Sequence, residues 1–123
     1  MNAINWFEIP VENMDRAVRF YEALLGYGLK RENFMDVPHA IIKSSKDDDG
    51  VGGALIQDKK RKPSAAGTCV YLNSSDIDGA LKRVTTLGGD VLQPKTSIGP
   101  MGSIALLKDS EGNLIGLHTA PTP

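Results

Sequence analysis

The sequence predicts an α+β domain in which one chain carries two copies of a βαβββ module. Three observations lead there: a strand-then-helix pattern that recurs 63 positions later, capping residues that recur with it, and later segments that match once loop length is allowed to differ. At 123 residues the chain is one domain, 1–123, large enough to bury a core without staples. Module one is expected at 1–60, a linker at about 58–66, and module two at 67–123.

The elements follow in order. Residues 5–11 read as a strand with Phe7 and Ile9 on one face and Trp6 and Glu8 on the other. Asn13 is a good helix N-cap, and Met14, Ala17, Val18, Tyr21, Leu24 and Leu25 then fall at helical spacing. Gly26 and Gly28 stop that helix, and Leu29 begins a second extended stretch. A shift of 63 lays Cys69, Val70, Tyr71 and Leu72 on Trp6, Phe7, Glu8 and Ile9. The same shift sets Asp76 on the Asn13 cap, Ile77, Ala80, Leu81, Val84 and Leu87 on the helix stripe, and Gly89 on Gly26. Chance readily supplies one of these agreements; four under a single shift indicate duplication.

The rest of each half runs in parallel. VPHAIIKSSKDDDGVGGALIQ in the first matches GPMGSIALLKDSEGNLIGLHT in the second, with three extra residues in the SSKDDDG turn, where insertions are cheap. In the run KDSEGNLIGLH at 108–118, turn formers lead into a strand that Gly116 interrupts. Between the halves stands DKKRKP, residues 58–63, whose Lys59-Lys60-Arg61-Lys62 run reads as a solvated charge cluster balanced by the three aspartates at 47–49.

Composition narrows the function. A formal charge of −1 gives no reason to expect nucleic acid or an anionic membrane as partner. Cys69 is the only cysteine, which excludes an internal disulfide and a multi-thiolate metal site; it reads as a small buried hydrophobe. The stretch MNAINWFEIPVEN shows no secretory pattern and no apolar run approaches the roughly 20 residues of a membrane span, so a soluble cytoplasmic protein is expected. GVGG at 50–53 lacks the Lys-Ser/Thr and helix of a phosphate loop, and no Ser-His-Asp set assembles with any specificity.

The phrases WFEIPVENMDRAVRFYEALLGY and KDSEGNLIGLH resemble the glyoxalase/bleomycin resistance protein/dioxygenase family, the vicinal oxygen chelate superfamily, and within it the small group related to lactoylglutathione lyase. The resemblance covers essentially the whole chain. It implies a glyoxalase-like fold in which two βαβββ modules form a curved mixed sheet around a cavity. It also implies a homodimer, and a divalent metal held by the first and last strand of each module. Carried onto this sequence, those metal positions are Trp6, Ala54 or Gly53, Cys69 and Gly116. With no carboxylate or imidazole among them, no metal and no other cofactor is expected.

In the same register Glu8, Tyr71 and His118 point into the cavity one layer along, while Phe7, Ile9, Val70, Leu72, Ile115 and Leu117 turn onto the helices. The expected site is therefore a small-molecule cavity with Trp6 and Tyr71 as walls and Glu8 and His118 as polar handles. His39 and Met101 join its lining, and the volume absent at Ala54 and Gly116 leaves room for a ligand. Glu8 as base with His118 as partner would serve metal-free proton transfer. The alternatives are a metal-dependent lyase, isomerase or dioxygenase with a displaced site at Glu8, His39 and His118, or a structural module whose cavity is filled by side chains.

Overall fold

The computed structural model describes residues 2–43 and 50–121. The three extra residues expected in the SSKDDDG turn fall at 44–49 and so lie outside the described residues. Module one runs β1 (Trp6–Pro10), α1 (Met14–Leu25), β2 (Lys30–Phe34), β3 (Val37–Ile42) and β4 (Gly52–Ile56). Module two repeats the order with β5 (Val70–Asn73), α2 (Ile77–Val84), β6 (Asp90–Ser97), β7 (Ser103–Lys108) and β8 (Leu114–Thr119). The sheets have matching orders, β1-β4-β3-β2 and β5-β8-β7-β6. In each, the first strand pairs parallel with the last and the other neighbours are antiparallel. Register repeats as well: Glu8 lies beside Ala54, and its counterpart Tyr71 beside Gly116.

Local chemistry explains the boundaries. The Asn13 side chain accepts the Arg16 N–H at 3.0 Å, and Asp76 accepts the Gly79 N–H at 3.1 Å, so both helices start on a side-chain cap. Helix α1 ends at Gly26, φ 87°, whose N–H reaches Glu22 O. Module two differs here. Helix α2 gives way to a 3₁₀ turn at Thr85–Leu87, and the left-handed stop is Gly88, φ 92°, one residue before the Gly89 that the repeat points to. A 3₁₀ turn rises more per residue, so fewer residues reach the end of the helix. Gly89 is needed for packing instead, since a Cβ there would press on the Phe20 ring of α1 and on Val84 O. Pro94 is tolerated because β6 is an edge strand with an irregular register.

The modules meet through their helices. Side chains from both helices and from the helix-facing side of both sheets form one core, in which Ile9, Phe20, Leu55, Ile77, Leu107 and Ile115 are almost wholly buried. Arg83 of α2 donates to Ala23 O at 2.6 Å and Leu24 O at 3.4 Å, satisfying carbonyls at the end of α1. The turn between β7 and β8 supplies a second tie. Asp109 accepts the N–H groups of Glu111 and Asn113 at 2.8 Å each and the hydroxyl of buried Tyr21. Glu111 accepts the Glu12 and Asn13 N–H groups at 2.8 and 2.9 Å and the Arg16 Nε at 2.7 Å, while Asn113 donates to Pro10 O at 2.8 Å. The D-x-E-G-N stretch is thus a clasp on the entry to α1. Burial raises the Glu111 carboxyl pKa most strongly, but Arg16 and the Asn13 and Glu12 amides outweigh it and bring the value down to about 2. Burial and the facing Asp109 charge push the Tyr21 hydroxyl well above its ordinary value.

Candidate functional site on the open sheet faces

Alternation along each strand sends one set of side chains to the helices and the other to a face that a single copy leaves open. Phe7, Ile9, Val70, Leu72, Ile115 and Leu117 belong to the helix-side core or pack against it, as the sequence predicts. Trp6 and Tyr71 are on the other side, 45% and 48% exposed.

The first sheet presents Trp6 and Glu8 from β1, with Ala54 beside Glu8 and Ile41 beyond it. His39 follows from β3, next to Ile56. Ala54 and Ile56 are fully buried yet stand outside the helix-side core, which gives this face an apolar floor. The Trp6 ring runs beside Gly52, and its Nε1 donates to Glu8 Oε2 at 3.3 Å. The other Glu8 oxygen accepts from Arg61 at 2.6 Å, and Arg61 Nε also lies 3.9 Å from Asp58. The Arg61 hydrogen bond holds the Glu8 carboxyl below its ordinary value, despite partial burial that opposes it. That makes Glu8 a dependable charge and a weak base at neutral pH. His39 Nδ1 sits 2.8 Å from Val37 O, and its ring meets Phe34 edge-on at 5.0 Å. Beside it a groove of about 690 Å³ opens between the start of α1 and the β2–β3 hairpin, lined by Glu12, Asp15, Arg31, Glu32, His39 and Gln57 among others.

The second sheet presents Tyr71, Gly116 and His118. The Tyr71 ring lies over Gly116, where a Cβ would overlap it. This corrects the expectation that the missing side chain leaves room for a ligand: the glycine makes room for the tyrosine. His118 Nε2 is 2.6 Å from Met101 O, in the exposed connection between β6 and β7. Cys69 is half-buried beside the Gly116 amide, and burial pushes its thiol up, away from thiolate, although that amide pulls the other way.

The structure therefore brings Trp6, Glu8 and His39 together on one sheet, and Tyr71, His118 and Met101 together at the other. Within one chain Glu8 and His118 stand on different sheets, and the two sheets are not hydrogen-bonded to each other. The positions at which the resemblance implies a metal divide the same way, Trp6 and Ala54 or Gly53 on the first sheet, Gly116 on the second with Cys69 just before β5. Among the described residues no three His, Cys, Asp or Glu side chains converge as a metal set, so Glu8, His39 and His118 do not form the displaced site within one chain. Arg61 joins the site without having been singled out by the sequence, where it reads as part of a solvated run. The available signal was a carboxylate, Glu8, on a strand face with no cation of its own nearby.

Comparison with known proteins gives this geometry its relatives. Residues 3–117 match the family model described as Glyoxalase/Bleomycin resistance protein/Dioxygenase superfamily. A glyoxylase-like domain-containing protein of Didymella fabae is 25% identical over 120 residues, covering 96% of this chain and 94% of its own. Solved structures share the fold, two of them as follows. TnmS3, an antibiotic binding protein from Streptomyces sp. CB03234, superposes with a TM-score of 0.69 at 22% identity, over 98% of this chain and 97% of its own. A glyoxalase I mutant from Zea mays gives 0.68 at 18% identity, over 93% of this chain and 44% of that longer one. The chain belongs to the glyoxalase/bleomycin resistance protein/dioxygenase superfamily.

Proposed function

We propose that this chain binds a small molecule on the open faces of its two sheets, without the usual metal ligands of its superfamily, and that two copies pair so that the face of one covers the face of the other. One observation carries the reading: each face exposes a large aromatic, Trp6 or Tyr71, beside a polar side chain held in a defined hydrogen bond, Glu8 or His118. Exposed aromatic surface rimmed by fixed polar groups is what a ligand or a partner covers. Pairing would bring the Trp6–Glu8–His39 set and the Tyr71–His118–Met101 set into one enclosure, which a single chain does not do. The antibiotic-binding TnmS3 supports the reading by sharing the fold. The residues at the superfamily's metal positions support a metal-independent site, because an indole, a methyl group and a glycine offer no donor and Cys69 alone cannot hold a divalent ion.

The experiment is a thermal-shift screen against metabolites and planar antibiotics, run beside light scattering and metal analysis of the purified protein. A bound compound raises the apparent melting temperature by mass action. The reading expects at least one hit that Trp6→Ala and Tyr71→Ala each weaken, and a mass of two chains. Near-stoichiometric metal, or a strictly monomeric protein with no hits, overturns it.

A further inference from the structure

We infer that Arg61 makes the first-sheet face selective for aromatic anions, a carboxylate, phosphate or sulfonate set on a planar ring. The inference rests on the small-molecule reading above and names its ligand class. Arg61 comes from the segment after β4 and folds back so that its guanidinium meets Glu8 at 2.6 Å, while Glu8 also accepts from Trp6 Nε1. The three side chains form one chain of hydrogen bonds, so cation and indole are held a fixed distance apart by the carboxylate between them. Only one N–H of the guanidinium is used at hydrogen-bonding distance among the described residues, and its side chain remains 50% exposed. A guanidinium has five N–H donors in a planar fork that suits a carboxylate or phosphate. Trp6, 45% exposed along the same face, supplies a flat surface for a ring.

The segment that carries Arg61 has the same sign of charge. Lys59, Lys60, Arg61 and Lys62 are all exposed, against the two carboxylates of Asp58 and Glu8 that face the guanidinium. Glu32, opposite His39 in the strand register, puts a further carboxylate on the same face. Out of the run that looks like plain solvation in the sequence, Arg61 therefore reaches the face. Glu8 keeps Arg61 in place and tells against a cationic ligand only while the pair is intact, so the pair is what the test must break.

The protein contains a single tryptophan, Trp6, so its emission reports directly on this face. The test titrates the full chain with naphthoate, naphthylmethanol and naphthylmethylammonium, three ligands with one ring and opposite or no charge, by calorimetry and Trp6 fluorescence. The expected result is naphthoate binding about ten-fold tighter than the alcohol, with the ammonium weakest and with EDTA changing nothing. Arg61→Gln should erase the preference for the acid while the alcohol still binds; Arg61→Lys should keep part of it. Equal binding of acid and alcohol, tighter binding of the ammonium, or a preference that survives Arg61→Gln overturns this inference and leaves the small-molecule reading standing. If none of the three binds, and the broader screen has hits elsewhere, the inference alone falls; if the screen is empty too, both fall.

Discussion

Gly116 and Tyr71 are a matched pair. The ring occupies the place where any side chain at 116 would begin, so Gly116→Ala forces the tyrosine off its seat and costs about 1–3 kcal/mol in urea denaturation. Tyr71→Ala in the same chain should remove most of that penalty, because nothing then contests the new methyl group. Glu111 makes a second single-residue test. Its carboxyl sits at about 2 in the folded chain against 4.5 as its ordinary value, and its side chain is fully covered. The lowered value contributes stability that is complete above about pH 4.5 and drains away as pH falls toward 2. Some 3 kcal/mol is at stake, because each pH unit between the two values is worth about 1.4 kcal/mol. Denaturation midpoints taken from pH 7 to pH 2 should fall through that window in the native chain. They should be lower at pH 7 and flatter below pH 4.5 in Glu111→Gln.

Among the elements, the β2–β3 hairpin turns on two non-glycine residues in left-handed geometry, Met35 at φ 52° and Asp36 at φ 64°. Each side chain there is strained by roughly 1 kcal/mol, and the two-residue turn prefers Asn-Gly. Replacing Met35-Asp36 with Asn-Gly should raise the melting temperature by an amount equivalent to about 1 kcal/mol; Met35 is 96% exposed, so little packing is lost. The strand, cap and helix of each module were legible in the sequence because they depend on local spacing and one repeated offset. The end of α2 was not, since a 3₁₀ turn changes residue count without changing composition. The hydrogen-bond clasp was visible only as turn chemistry. Asp109, Glu111 and Asn113 are turn residues by type, and nothing local says that their side chains reach Pro10, Glu12 and Asn13. Arg61 was hidden for the same reason: a linker side chain's destination depends on the path of the backbone, not on its neighbours in sequence.

At the scale of the molecule, the division of labour is by face. One side of each sheet joins a shared core with the helices, and the other carries Trp6 with Glu8 and His39, or Tyr71 with His118. No helix among the described residues is long and apolar enough to cross a membrane. The duplication gives two similar faces, but their chemistry has diverged: an ion pair with an indole on the first, a tyrosine seated on a glycine with an imidazole on the second. The Glu111 bonds to the start of α1 also impose an order on biosynthesis. Residues 12 and 13 wait for a partner 98 or 99 positions downstream. While the ribosome is still making the chain, the N-terminal half must hold its helix with the Asn13 cap and the Gln57 side chain, which accepts the Met14 N–H at 2.8 Å, and the Glu111 fastening arrives only with the β7–β8 hairpin.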